Sequence, residues 1–277
     1  MPAFLGIYKL ASNAFMSSRS NKPKINVIHN LARSGGTLIS KCLASMNSIV
    51  LLSEIHPTAQ HAVSFNALRQ AQQWYGIGLD QNWQKVSFID AIHIIHQHCQ
   101  KHNLHLVIRD WSHVDYLGLP VTKQPKNIAE LTRKLEADFD ICSIQVIRHP
   151  LDTWLSTRRL NLIKQSDIDE EKFLTAFQTY LLETKANYRL IFEKFLENPD
   201  FELKTICEVM EIPYDPNYKH LWYSYTKITG DMSNSSSLRN KPTISLRKRK
   251  PFNPIILDEL EKHTSYAEIL ATVPSYI

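Results

Sequence analysis

"HNLARSGGTLISKCL", residues 29–43, decides how the rest of the chain is read. It joins an apolar run (Ile25, Val27, Ile28) to an apolar-periodic one (Leu38, Ile39, Cys42, Leu43, Met46) through a polar turn with two glycines. That is the pattern of a strand, a tight loop and a helix. The helix start that such a loop presents holds anions through its unpaired N–H donors and the positive end of its dipole. The usual triphosphate loop, G-x-x-x-x-G-K-[ST], is not matched, because no Lys precedes Thr37. The stretch predicts an anion site and leaves open which anion it holds.

Outward from this stretch, four β-branched runs recur: "KINVIH" (24–29), "SIVLLS" (48–53), "LHLVIR" (104–109) and "ICSIQVIR" (141–148). Helical periodicity separates them over 62–75, 84–101 and 126–137. Strands alternating with helices predict an α/β fold, a central parallel sheet flanked by helices on both faces. Ligands of such sheets sit at the carboxyl ends of the strands. The polar residues that follow each run are therefore the candidates: Arg33 to Thr37, Glu54 and His56, Arg109 to His113, and Arg148 to Ser156. From about 168 the pattern reads as long helices, with Phe173, Phe177, Tyr180, Leu181, Tyr188, Phe192 and Phe195 on apolar faces. A polar, basic segment over 230–252 follows and reads as a flexible piece that orders on binding, before a last helix from about 254.

The bulk numbers fit this picture without sharpening it. The 277 residues carry no internal repeat or linker and read as one domain over 1–277, large enough for a sizeable core. Hydrophobic residues at 43% and charged ones at 21% are ordinary for a globular protein, and the net charge of +5 suits an anionic ligand. Cys42, Cys99, Cys142 and Cys207 lie far apart in apolar runs with no C-x-x-C, which reads as reduced, buried thiols and a cytoplasmic setting. Residues 1–23 have no long apolar core, so they read as a lead-in rather than a signal peptide or a membrane span. The tract "HIIHQHCQKHNLH" (93–105) invites a metal reading, but it lacks H-E-x-x-H and a second ligand cluster, so it reads as amphipathic helix surface.

The second informative stretch is "VIRHPLDTWLSTRR" (146–159). A strand ends at Arg148, Pro150 starts the next element, and Asp152 or Thr153 lies near a helix N-terminus. A strand-final Arg and the hydroxyl of Ser156, eight positions on, can converge on one phosphate. With both stretches in hand, the chain resembles the sulfotransferases that use 3′-phosphoadenosine 5′-phosphosulfate (PAPS). That family carries P-[RK]-S-G-[TS]-[TS] after its first strand and R-x-P-x-D-x-x-x-S after a later one. Here they read "ARSGGTL" and "RHPLDTWLS", with Ala32 in place of Pro and Gly36 in place of a hydroxyl residue. The resemblance spans roughly 24–160, with "VMEIPYD" (209–215) beyond.

The resemblance implies a P-loop-like sulfotransferase fold and a sulfuryl transfer from PAPS to an acceptor hydroxyl, leaving 3′-phosphoadenosine 5′-phosphate (PAP), with no metal required. Backbone N–H groups of Ser34, Gly35, Gly36, Thr37 and Leu38 would cradle the 5′-phosphate and sulfate, with the Thr37 hydroxyl as a further donor. Arg33 would stabilise the bridging oxygen as charge develops on it. Arg148 and Ser156 would hold the 3′-phosphate, and Arg239, in the closing segment 230–252, would join them. Glu54, 21 positions after Arg33, has a spacing similar to that of the catalytic Glu of the protein-tyrosine sulfotransferases. It is the expected general base, with His56 and His113 as alternatives. Arg109 would contact the transferred sulfonate, or else pair with Asp110.

The acceptor stays open among carbohydrate, phenol, lipid and other small molecules. Regions 58–83 and 112–130, with Trp74, Tyr75, Trp83 and Tyr116, are expected on the acceptor side; no nucleic-acid partner and no membrane span is expected. Two other classes of function remain: an ATP-dependent kinase-like phosphotransferase with a degenerate loop, and a nucleotide-binding protein without catalysis.

Overall fold

The computed structural model describes residues 22–121, 124–230, 243–246, 248–249 and 251–273. The four β-branched runs form β1 (Lys24–Asn30), β2 (Ile49–Ile55), β3 (His105–Asp110) and β4 (Asp140–Ile147). A fifth strand, β5 (Tyr188–Ile191), interrupts the region read as long helices. Its four residues are too few to show a period of two, and it is set by pairing: the Asn187 N–H donates to Ser143 O at 2.8 Å, and Ser143 N–H to Asn187 Oδ1 at 2.9 Å. All pairings are parallel, in the order β2-β3-β1-β4-β5. The chain leaves β1 toward one edge and reaches β4 on its other side, so the crevice outside the carboxyl ends of β1 and β4 is the topological switch point where such sheets bind ligands.

Helices cover both faces: α1 (Gly36–Ala44), α2 (Ala67–Tyr75), α3 (Phe88–Lys101), α4 (His113–Leu117), α5 (Glu130–Leu135), α6 (Pro150–Thr157), α7 (Asn161–Lys164), α8 (Glu170–Glu183), α9 (Phe192–Glu197), α10 (Pro199–Met210), α11 (Tyr218–Leu221), α12 (Ile255–Glu261) and α13 (Thr264–Thr272). Several expected helices are shorter than their apolar periodicity, because caps and turns set their limits. Asn66 Oδ1 accepts the Arg69 N–H at 2.9 Å and starts α2 at 67 rather than 62. Ser87 caps α3, and Asn127, at φ 57, keeps the chain out of α5 until 130. The single helix expected from 254 is the pair α12 and α13. Residues 1–21 of the lead-in and most of 230–252 lie outside the described residues.

Strand alternation divides the core. Ile28, Leu51 and Val107 face α1 and α10, while Val27, Val50, Leu52 and Ile108 face α2 and α3. A third cluster joins Trp154 of α6 to Phe173, Phe177 and Tyr180 of α8 and Ile269 of α13. Each fully buried aliphatic chain is worth roughly 1.5–3 kcal/mol, so the strand ends that carry the candidate residues stand on a rigid base. No helix among the described residues is long and apolar enough to cross a membrane.

Candidate functional site

The loop after β1 turns sharply into α1. Arg33 has φ 67, and Gly35, the residue before α1, has φ 98, a conformation glycine adopts without strain. Gly36 is dictated by a close approach: a Cβ there would lie 2.3 Å from the side chain of Asn30 at the end of β1. This explains why no hydroxyl residue stands at 36. Of the five N–H groups expected to face an anion, that of Ser34 is bonded to Leu31 O at 3.3 Å and that of Leu38 to Gly35 O at 3.0 Å. The Ser34 hydroxyl likewise donates to Leu31 O at 2.7 Å. Those of Gly35, Gly36 and Thr37 have no protein acceptor among the described residues, and they form the start of α1.

The second motif meets the first at the switch point. Arg33 Nε donates to Ser156 Oγ on α6 at 2.9 Å, and Arg148 Nη1 donates to the Arg33 carbonyl at 2.9 Å. Thr157 Oγ1 adds a bond to Ala32 O at 3.3 Å. The Arg148 guanidinium lies 5.6 Å from the centroid of the Phe192 ring. Burial lowers its pKa, opposed by the nearby Asp152 and Glu193 carboxylates. Arg33, Arg148 and Ser156 thus form one half-buried cationic cluster beside the start of α1.

On the other side of α1 lies a second constellation. Arg109, 1% exposed at the end of β3, donates from Nη1 to Thr37 Oγ1 at 2.9 Å and from Nη2 to Ser53 Oγ at 2.7 Å and Thr229 O at 2.9 Å. Its Nη2 is 3.5 Å from Glu54 Oε1. Glu54 is half-buried and has φ 54, where the β2–β3 register slips between Leu52 and Ile55. A non-glycine residue held left-handed costs about 1–3 kcal/mol, and such strain clusters at functional sites. Asp110 does not pair with Arg109. It points to the opposite face, where Oδ2 accepts from Ser112 Oγ at 2.7 Å and lies 2.8 Å from His29 Nδ1.

The alternative bases differ in how far they are occupied. His56 is buried with both ring nitrogens engaged: Nδ1 accepts the Thr58 N–H at 3.3 Å, so Nε2 carries the proton toward Asp115 Oδ1 at 2.9 Å. His113 begins α4, packs edge-on against Trp111 at 5.4 Å, and is pushed by burial down to about 4, so it is neutral near pH 7. Glu54 accepts no hydrogen bond among the described residues, which leaves its carboxylate oxygens open to a proton.

The chain around 230–252 meets the site at both of its described ends. Thr229 bonds Ser53, and a Cβ on Gly230 would lie 2.3 Å from Glu54 Oε1. Arg249 forms a two-fold ion pair with Asp152 at the start of α6, both contacts at 2.9 Å. Arg249 lies in the polar, basic segment read from sequence as ordering on binding, and nothing in that pattern distinguishes this one cation. Arg239 lies outside the described residues.

Three of the aromatics expected toward the acceptor are instead structural. The Tyr75 hydroxyl bonds Leu51 and Tyr225, Tyr116 is buried against Thr184 and Tyr180, and Trp83 packs on the core of α2 and α3. Their hydroxyls and rings complete the core, which a period-based reading does not separate from a cleft. A cavity of about 260 Å³ opens instead beside Phe65 and Trp111, stacked at 4.0 Å, with Ala59, Ala62 and Val121 in its wall. In the histidine tract, His96 Nε2 is bonded to Lys24 O at 3.0 Å and His93 faces Asp138 at 3.4 Å.

No protein-family model matches the sequence, and no curated protein matches it. Solved structures do. The sulfotransferase domain from the Synechococcus PCC 7002 olefin synthase aligns with a TM-score of 0.61 at 17% identity, over 92% of this chain and 96% of that domain. The sulfotransferase domain from the curacin biosynthetic pathway aligns with a TM-score of 0.59 at 15% identity, over 92% of this chain and 100% of that domain. The five-stranded parallel sheet and its flanking helices are the fold of these sulfotransferase domains.

Proposed function

We propose that this chain is a PAPS-dependent sulfotransferase that moves a sulfuryl group to an acceptor hydroxyl. The observation that carries the reading is the contact between two anion-binding motifs at the β1/β4 crevice, Arg33 on Ser156 and Arg148 on the Arg33 carbonyl. A donor with separate anionic ends, a 5′-phosphosulfate and a 3′-phosphate, requires two such devices on one sheet edge, whereas ATP carries a single polyphosphate.

The residues present fit that donor. The open N–H groups of Gly35, Gly36 and Thr37 suit the 5′-phosphate. The Thr37 hydroxyl accepts from Arg109 and the Ser156 hydroxyl accepts from Arg33, so each keeps its own proton for a phosphate oxygen. Ser34 shapes the loop and Leu38 begins its packing. Arg148 and Ser156 take the 3′-phosphate, and Arg239 belongs to the same reading. A cytoplasmic setting does too, in keeping with four free, buried cysteines.

When bound, PAPS supplies the sulfuryl group and PAP is what remains. The chain's residues do the rest by positioning and charge. Glu54 accepts the proton of the acceptor hydroxyl. The remaining donors of Arg33 stabilise the oxygen from which the sulfuryl group departs. Arg109 ties Thr37 on the donor side to Glu54 on the acceptor side, and the cavity beside Phe65 and Trp111 takes the body of the acceptor.

Calorimetric titration with PAP, AMP and Mg·ATP tests the reading. PAP is expected to bind at least about tenfold more tightly than AMP, the value of one charge-assisted hydrogen-bonded contact. Equal binding of PAP and AMP, or a preference for Mg·ATP, overturns it.

A further inference from the structure

We propose that Ser53 and Thr229 form a positioning pair that draws the Arg109 guanidinium off the Glu54 carboxylate and so keeps Glu54 basic. The inference rests on the reading of Glu54 as general base. The bonds among these residues admit one consistent assignment of protons. Ser53 Oγ accepts from the Thr229 N–H at 3.1 Å and from Arg109 Nη2 at 2.7 Å, which uses both of its lone pairs. Its own proton must then go to Thr229 Oγ1, 2.9 Å away, and the Thr229 hydroxyl proton goes to the Ser53 carbonyl at 3.1 Å. The second Nη2 hydrogen of Arg109 goes to the Thr229 carbonyl at 2.9 Å.

Both hydrogens of Nη2 are therefore directed at the pair. Glu54 Oε1, 3.5 Å from the same nitrogen, receives charge but no hydrogen bond. This distinction matters for a base. A guanidinium bonded directly to a carboxylate stabilises the charged form and weakens it as a proton acceptor, while one held just beyond bonding distance steadies its position at smaller cost in basicity. The pair also holds the strained backbone. Ser53 is clamped on its other side by Gln70, which accepts its N–H at 2.8 Å and donates to its carbonyl at 2.7 Å, so the residue before Glu54 cannot relax. Among the described residues, the groups that face Glu54 are Arg109 from β3, His113 from α4 and the backbone of Gly230; His113 is neutral above about pH 4. Thr229 lies 176 positions from Ser53 in the chain, so no local pattern reveals the pair.

The test follows PAP release from PAPS between pH 5 and 9, with water and benzyl alcohol as acceptor probes, alongside PAP titration of each variant. Ser53→Ala frees one Arg109 hydrogen for Glu54. The acid limb of the rate profile should move about one pH unit or more toward acid and the plateau should fall about threefold to tenfold, with PAP affinity unchanged. Thr229→Val should move the limb the same way by less, and Thr229→Ser, which keeps the hydroxyl, should restore it. A loss of rate at all pH values with an unmoved limb in both Ser53→Ala and Thr229→Val makes the pair mere scaffold and overturns the inference, leaving the proposed function standing. A wild-type protein that does not bind PAP removes the proposed function instead, and this inference with it. Binding without release from either probe removes Glu54 as base, with the same consequence for the pair.

Discussion

Replacing Arg148 by alanine tests the two-ended donor site directly. One Arg148 hydrogen is committed to the Arg33 carbonyl at 2.9 Å, and Arg33 in turn bonds Ser156 Oγ at 2.9 Å, so the proposed 3′-phosphate site is completed by the other guanidinium donors. Two charge-assisted bonds to a 3′-phosphate are worth roughly 1.5–3 kcal/mol each, so their loss should weaken PAP at least about 100-fold. The loop carried by the Arg33 carbonyl will also suffer, but AMP reports that part alone, because it shares the 5′-phosphate and lacks the 3′-phosphate. The ratio of the Kd for AMP to that for PAP should therefore collapse toward one, while the AMP value itself moves less than about tenfold. Calorimetry on wild type and variant with both ligands gives the four constants. Thermal stability should change little, since the arginine is partly desolvated and has like-charged Arg33 and Arg249 nearby. Equal losses for the two ligands would make Arg148 a prop for the loop. No loss for either would mean that the second motif binds nothing.

Three other outcomes follow from the same geometry. Glu54→Gln should leave PAP affinity within about twofold and lower PAP release by about 100-fold or more, the usual worth of a general base; an unchanged rate excludes Glu54 from that role. Gly36→Ala drives a methyl to 2.3 Å from Asn30, so it should cost about 1–3 kcal/mol in denaturant unfolding, largely recovered in the double variant with Asn30→Ala. His149, 7% exposed and pushed by burial from 6.5 down to about 4, leaves folding untouched above pH 6.5. As the pH falls from 6.5 toward 4 the unfolded chain binds a proton that the folded one refuses, so stability drops by up to about 3 kcal/mol. Glu193, lifted by burial, acts in the opposite sense, so the measurement is the flatter pH dependence of His149→Gln in urea melts between pH 4 and 7.

The fold was legible where the physics is local. Val27 and Ile28 belong to opposite core faces because side chains alternate along a strand, and the four long runs state that alternation or the β-branched character of a doubly covered sheet. β5 was missed for want of length. Helix limits were misjudged where a single side chain decides them: Asn66 and Ser87 start helices several residues inside the periodic stretch. Tyr75 and Tyr116 were placed toward the acceptor because an aromatic with a buried hydroxyl partner has the same sequence signature as one that lines a cleft.

The candidate site divides along the same boundary. That Arg33, Glu54, Arg109 and Arg148 stand on one edge follows from a rule about strand ends, and each lies at or just past the end of its strand. What holds them there lies far along the chain. Arg33 reaches Ser156 over 123 positions, Ser53 reaches Thr229 over 176, and Asp152 is held by Arg249 over 97. A motif names the residue that touches the ligand because its spacing is imposed by one loop and one helix. The partner that fixes its rotamer is imposed by the tertiary fold and can come from any element that arrives at the same edge. Glu54 carries both kinds of information. Its place after β2 was readable, but its left-handed backbone, the register slip behind it and the missing hydrogen bond from Arg109 were not, and it is on these that its proposed role as a base rests.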